Sequence, residues 1–402
     1  MAANNKSKSH IKLNLLVLSV LLFSLFSILD AGKTSANNAD PFATQVYKTA
    51  WNTINNKFYF KENFDIKSWE SKFDSKIRSV EDSHKYINKL LSRLNDPYTR
   101  FLNKEEFDSE MKILSSSKLM GIGIKLSSQK PIVLDVLPES PAEYADIRKD
   151  DYIVSINGKT TFGLSAFQIA SLIHGEPGKT VTVKLKRGRN IFERTAKFKE
   201  LNFKSVTSEL LPDNVLLLKV DSFIPENTSR LFKEELSKYS NLNGIILDLR
   251  NNSGGLMKNA VDIADLFLST GKIVSTVTKT AVSNDYANSS QSYKNGLVVL
   301  VNENTASASE ILTSALKENK RAYVIGRKTF GKGLVQEIVR LPDGSALHVT
   351  CAVYLTPQGN FLNKKGIIPN EVILDNDRQI ERAVEILLAQ GSTNGLRVAS
   401  GL

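Results

Sequence analysis

Leu297 to Val301 is an unbroken run of aliphatic residues, followed by Thr305-Ala306-Ser307-Ala308-Ser309-Glu310 and then by an apolar stretch, Ile311 to Leu316. So short an aliphatic run reads as a buried strand, and the stretch after the turn reads as a helix. Gly244 to Leu249 repeats the pattern: a buried strand, a turn at Gly254-Gly255, then a helix with apolar positions at Ala260, Ile263, Ala264 and Phe267. From about residue 203 strands alternate with helices, the signature of an α/β core, and the polar segments of interest fall at strand-to-helix junctions.

Ser307 is placed at the start of its helix, where backbone N–H groups have no intrahelical partner. Those donors and the helix dipole can stabilise negative charge on a tetrahedral intermediate. Ser307 and Glu310 also match a capping box, which alone would need no chemistry. Downstream, Thr329-Phe330-Gly331-Lys332-Gly333-Leu334-Val335-Gln336 leads into a strand over Leu334 to Leu341. Period-2 alternation would put Lys332 and Gln336 on one face. A lysine serves as a general base only when neutral, and desolvation in an apolar pocket under Phe330, with flexible glycines around it, would lower its pKa. Gln336 would then orient the amine. A solvated loop lysine is the plain alternative. Gly326 to Lys332 also matches a phosphate-binding loop, but Gly333 stands where Ser or Thr should hold magnesium, and a strand follows where a helix is required.

Together these segments resemble the carboxyl-terminal processing proteases, the tail-specific, serine/lysine-dyad family. The resemblance is carried by Thr-Ala-Ser-Ala-Ser-Glu at 305 to 310, Phe330-Gly331-Lys332-Gly333 with Gln336, and Asp248-Leu249-Arg250-Asn251-Asn252-Ser253-Gly254-Gly255. It implies Ser307 as nucleophile, Lys332 as base, Gln336 as its partner, and an oxyanion hole from an N–H of Gly254 or Gly255 together with Ala308. Ser309 would be structural. Relatives commonly carry proline where this chain has Ser253. Glycines at such a turn permit backbone angles and close approaches that other residues resist.

The same resemblance organises the rest of the chain. Residues 37–109 form a helical region in which Val46, Ala50, Ile54 and Phe58, then Trp69, Phe73 and Ile77, recur as packing stripes, ending at Asp96-Pro97. The family likeness adds a homodimer contact through these helices, and Asp96-Pro97-Tyr98-Thr99-Arg100-Phe101 is itself similar to a family segment. Residues 110–202 resemble a PDZ module: Gly121-Ile122-Gly123-Ile124 as the glycine-containing loop and strand edge, Ser140-Pro141-Ala142 opening a helix, and alternating apolar residues closed by Asn157-Gly158. Such a module adds a peptide as a strand and holds its terminal carboxylate with backbone N–H groups. Arg148 would couple the module to the core, unless it is simply solvated. Residues 203–380 are the α/β protease core, and 381–402 a final helix whose small polar end is expected to lack order.

With 402 residues, 41% of them hydrophobic, the chain is long enough for two or three cores. Lys6, Lys8 and Lys12 precede an apolar run from Leu13 to Leu29, with small residues at Thr34-Ser35-Ala36. Residues 1–36 therefore read as a cleaved signal, with a membrane anchor as the alternative. Cleavage would remove four lysines and one aspartate, taking the net charge from +11 to +8. That excess would allow peripheral association with an anionic membrane, while no aromatic-basic stripe points to nucleic acid. The single cysteine, Cys351, lies in an expected strand and reads as a structural thiol; the histidines, His348 included, form no metal-ligand pair. No metal or cofactor is implied. The expectation is an exported serine endopeptidase acting on protein C-termini in the bacterial periplasm or cell envelope, or in the thylakoid lumen of a photosynthetic organism. The alternative is a non-catalytic PDZ-bearing adaptor that binds C-termini without cutting them.

Overall fold

A computed structural model of the chain describes residues 39–60, 64–115, 119–127, 130–164, 166–201, 203–288 and 293–399. The export segment 1–36 lies outside the described residues. Asp40 caps the first helix, Pro41–Lys57, by accepting the N–H groups of Phe42 and Ala43, and the helix buries Val46, Ala50 and Ile54 as the stripe requires. The second stripe is not a helix. Trp69, Phe73 and Ile77 are buried, but Trp69 ends one short 3₁₀ turn, Lys67–Trp69, and Phe73 and Ile77 flank another, Asp74–Lys76. Edge contacts of Phe73 with Tyr47 and Trp69, at ring separations of 5.9 and 5.6 Å, fix that segment by aromatic packing rather than by helical repetition. The next helix, Val80–Leu91, stops short of Asp96-Pro97.

Strand β1 (Arg100–Leu102) and the helix Lys104–Ser115 lead into the PDZ module. Its strands are β2 (Leu119–Gly121), β3 (Ile124–Leu126), β4 (Val133–Val136), β5 (Tyr152–Ile156), β6 (Lys159–Thr160), β7 (Thr180–Arg187), β8 (Asn190–Lys197) and β9 (Lys199–Leu201). Ile122, Ile153, Val181, Val183 and Leu185 form its own core. β3 pairs with β4 on one side only, and no strand lies on its other edge among the described residues.

The protease core holds two sheets. The first runs β10 (Val206–Leu211), β11 (Val215–Val220), β12 (Gly244–Asp248), β15 (Gly296–Val301), β16 (Tyr323–Gly326) and β19 (Glu371–Val372), parallel except for the β10–β11 pair. Its aliphatic runs are buried on both faces. Ile245, Leu247, Leu297, Val299 and Val301 pack against the helices Thr228–Ser237, Met257–Phe267 and Ala308–Glu318. Ile246, Val298 and Leu300 point the other way, onto the helix Asn376–Ala399 through Ala383 and Leu387. That helix continues to Ala399, past Gly391 and Gly395, where disorder was expected; glycine weakens a helix without ending one that its neighbours propagate. The second sheet comprises β13 (Lys272–Val277), β14 (Val282–Tyr286), β17 (Leu334–Arg340) and β18 (Ala346–Leu355), and it takes β1 from the N-terminal region as its further strand.

Candidate active site

The two junctions singled out in the sequence meet at the C-terminal ends of β12 and β15. Ser307 precedes its helix with φ 56° and ψ −119°, a left-handed conformation that is strained for a residue with a Cβ. Its neighbours hold it there: Ala306 N–H donates to the Asn252 carbonyl at 3.0 Å, and Thr305 Oγ1 donates to the Leu249 carbonyl at 2.8 Å. Ser307 is half-buried, whereas Ser309 is fully buried and its hydroxyl donates to the Asn252 carbonyl at 3.0 Å. Ser309 thus has a structural partner.

Glu310 does more than cap the helix. Its fully buried carboxylate accepts four hydrogen bonds: from Thr329 Oγ1 (2.5 Å) and Gly331 N–H (2.7 Å) at Oε1, and from Ser307 N–H (2.9 Å) and Lys332 N–H (2.8 Å) at Oε2. Burial pushes this carboxyl up from its ordinary value, against the hydrogen bonds that favour the anion. Every partner is a donor, so the geometry is that of the carboxylate. One side chain thereby ties the serine turn to the lysine loop.

Of the two glycines opposite Ser307, a Cβ on Gly254 (φ 99°) would come within 2.8 Å of the Ser307 Cβ and of the Ala306 carbonyl oxygen. A Cβ on Gly255 (φ 142°) would strike the backbone of Phe223 at 2.2 Å. Gly254 N–H donates to Asn252 Oδ1 at 2.9 Å, so it is not free to serve an oxyanion. The N–H groups of Gly255 and Ala308 have no acceptor among the described residues. With Ser253 in place of proline, the turn keeps this arrangement.

Lys332 lies in the loop before β17, and a register shift between Val335 and Gln336 breaks the alternation that would align it with Gln336. Gln336 Nε2 reaches Thr350 Oγ1 at 3.5 Å rather than the lysine. Thr350 in turn donates to Asp96 Oδ2 at 2.7 Å. The ring against Lys332 is that of Tyr98, 5.0 Å from Nζ, where Phe330 was expected. The surrounding glycines are packed rather than flexible: a Cβ on Gly331 would meet Gly366 N at 2.9 Å, and one on Gly333 would meet Asn363 N at 2.6 Å. Burial lowers the Lys332 pKa, and the Arg100 charge lowers it further, while Asp96 and Glu310 oppose both. No hydrogen bond joins Ser307 Oγ to Lys332 Nζ among the described residues, and the amine lies over Tyr98. Asp96, Tyr98 and Arg100 were quoted in the sequence only as a likeness, because nothing local says that a segment over two hundred residues away in sequence covers the lysine.

Arg100 is paired with buried Glu110 at 2.8 Å, and His348 Nε2 lies 2.8 Å from the other Glu110 oxygen, a structural role for that histidine. Cys351 is half-buried beside the Val335 carbonyl, and burial pushes its thiol up, away from nucleophilic use. No contact of Arg148 with the core is found among the described residues. The arginine is exposed and paired with Asp146 of its own module at 2.6 Å, because that carboxylate also draws in Arg187 and Arg194. The contacts to the core come instead from β3 and its end: Lys125 Nζ lies 2.6 Å from Asp221 Oδ1, and Ser127 Oγ donates to Asn304 Oδ1 at 2.8 Å. Within the module, the N–H groups of Ile122 and Gly123 have no acceptor among the described residues, while the carbonyls of Ile122 and Gly123 bind Ala142 and Leu137 N–H.

The fold around this site, a strained serine turn with a lysine in the adjoining loop and a PDZ module contacting the serine loop, has known relatives. The model of peptidase family S41 matches residues 214–373, and that of a PDZ domain matches residues 132–187. A carboxyl-terminal-processing protease of Picosynechococcus sp. is 35% identical over 345 residues, covering 81% of each chain. The chloroplastic carboxyl-terminal-processing peptidase 2 of Arabidopsis thaliana is 32% identical, over 88% of this chain and 73% of its own. Among solved structures, a photosystem II D1 C-terminal processing protease superimposes with a TM-score of 0.70 at 29% identity, covering 83% of this chain and 93% of its own. The class so defined is a serine peptidase carrying a PDZ domain. Within it, the chain belongs to the carboxyl-terminal-processing proteases of peptidase family S41.

Titration of the lysine amines in isotope-labelled protein should find Lys332 deprotonating below the ordinary lysine value. Arg100→Gln should raise its pKa, since a repelling cation is lost, and Asp96→Asn should lower it, since an attracting anion is lost. A Lys332 resonance unmoved by either change would refute this electrostatic account.

Proposed function

We propose that this peptidase cuts protein substrates with a Ser307–Lys332 dyad after its PDZ module has engaged their C-terminal regions. The observation that carries the reading is the Glu310 carboxylate, which joins the Ser307 and Lys332 backbones within one hydrogen-bonded unit. Neutral Lys332, moved off the Tyr98 ring, takes the proton of Ser307 as Oγ attacks the scissile carbonyl. The N–H groups of Gly255 and Ala308 stabilise the oxyanion, and the lysine returns the proton to the leaving amine. Water then hydrolyses the acyl-enzyme with the same lysine as base. Gln336 acts at one remove, through Thr350 and Asp96, on the charge beside Lys332. In the PDZ module, the unpaired N–H groups of Ile122 and Gly123 receive the substrate carboxylate, and the open edge of β3 receives its strand. Removal of residues 1–36 during export places the enzyme in the cell envelope or, in a photosynthetic organism, the thylakoid lumen.

Ser307→Ala and Lys332→Ala should each abolish cleavage of a peptide substrate while leaving the circular dichroism spectrum and peptide affinity intact. Lys332→Arg should be as inactive as alanine, because a guanidinium stays protonated. Persistent cleavage by purified Ser307→Ala would eliminate the dyad. A residual adaptor role would be left if the wild type bound C-termini and never cut them.

Amidating a peptide's C-terminus should weaken its binding at least tenfold, as the loop donors lose a charged acceptor. Equal affinity for acid and amide forms would show that the module reads something other than the carboxylate. For export, N-terminal sequencing of the mature protein should begin near Asn37, and recovery of Met1 in the cell envelope would identify an anchor instead.

A further inference from the structure

At the opposite edge of the parallel sheet, where β12, β15 and β16 begin, lies a cavity of about 640 Å³. Four cationic side chains line it, Lys294, Lys317, Lys320 and Arg321, and no acidic residue does. Their hydrogen-bond partners are carbonyls rather than carboxylates. Arg321 donates from Nε to Phe267 and from Nη2 to Tyr293 and Asn295, and Lys317 Nζ donates to Ile368. Lys294 and Lys320 are exposed and make no ion pair among the described residues. Glu318, the acid nearest in sequence, is engaged elsewhere, with Gln358 N–H and Asn360.

Capping of the adjacent helix Ala308–Glu318 does not account for the cluster. The carbonyls of its last turn are already taken by backbone N–H groups: Ala315 by Asn319, Leu316 by Arg321 and Ala322, and Lys317 by Lys320. Four like charges within one concavity repel one another, and carbonyl dipoles satisfy hydrogen-bonding needs without cancelling net charge. Burial lowers the Arg321 pKa, the direction expected for a guanidinium that no carboxylate compensates. The volume falls within the range of small-molecule sites, and the lining is concave rather than a flat membrane-facing patch. Asn370 and Tyr323 add polar groups, and Leu387 an apolar wall.

We propose that this cavity is a binding site for a soluble small molecule bearing two or more phosphate groups, remote from the peptidase centre. The ligand's negative charge replaces the missing carboxylates, with Lys294 and Lys320 as the adjustable ammonium groups and Arg321 as the fixed charge.

Tripolyphosphate titrated into the purified full chain by calorimetry tests the proposal. Saturable one-to-one binding is expected, accompanied by a rise in thermal midpoint, because a ligand that binds only the folded state stabilises it. The Lys294→Gln/Lys320→Gln double variant changes exposed side chains only and should weaken binding at least tenfold. Lys184→Gln/Lys186→Gln, which removes the same charge from the PDZ module, should leave binding unchanged. Absence of saturable binding, or equal weakening by both pairs, would overturn the proposal and leave only general charge attraction. Vesicles containing phosphatidylglycerol form the last arm. Binding to them that needs Lys294 and Lys320, without binding to tripolyphosphate, would assign the face to a membrane and equally overturn it.

Discussion

The buried Glu310 carboxylate is the interaction on which the site depends. A buried anion is tolerable only when its lone pairs are filled, and here four donors fill them. Each hydrogen bond to a charged group contributes about 1.5–3 kcal/mol, and deleting the acceptor would strand the buried donors. Ser307 and Lys332 lie in different elements, the serine after a parallel-sheet strand and the lysine before an antiparallel one. Glu310 fixes their backbones relative to each other.

That fixation supports the strain at Ser307. A non-glycine residue in the left-handed region costs on the order of 1–3 kcal/mol and persists only where its surroundings over-determine it. Here the turn is held from below by Asn252 and Leu249 carbonyls and from the side by Glu310. The helix that follows leaves the Ala308 N–H without an acceptor among the described residues, next to a glycine turn too tightly packed for any side chain. A donor held rigid before reaction does not have to reorganise during it, which is the advantage of a preorganised oxyanion site.

The core strands and the serine turn were legible because their signals are local. Aliphatic runs of strand length, a Ser and Glu three apart, and paired glycines each carry their physics within a few residues. Lys332 was legible as a residue but not in its surroundings. The alternation argument failed at a register shift, and the aromatic wall turned out to be Tyr98, brought in when β1 pairs with β18. Glycines read as flexible are there for close approach to the 362–366 segment. Arg148 was misplaced for a related reason: a surface arginine carries no sequence mark of which carboxylate will hold it, and Asp146 lies two residues away.

Because β1 comes from the N-terminal region, the lysine environment exists only when that region docks on the core. The loop that carries Ser307 is likewise contacted from outside, by Ser127 of the PDZ module through Asn304, which bonds Asn251 at 3.2 Å beside the glycine turn. Asn302 closes the cluster by bonding both Asn251 and the Asn304 backbone. Three regions of the chain therefore meet here: the core supplies Ser307, Lys332 and the N–H groups of Gly255 and Ala308, the N-terminal segment sets the charge and packing around the lysine, and the module abuts the loop that carries the serine. A centre built this way joins the PDZ module to the serine turn through one connected set of hydrogen bonds.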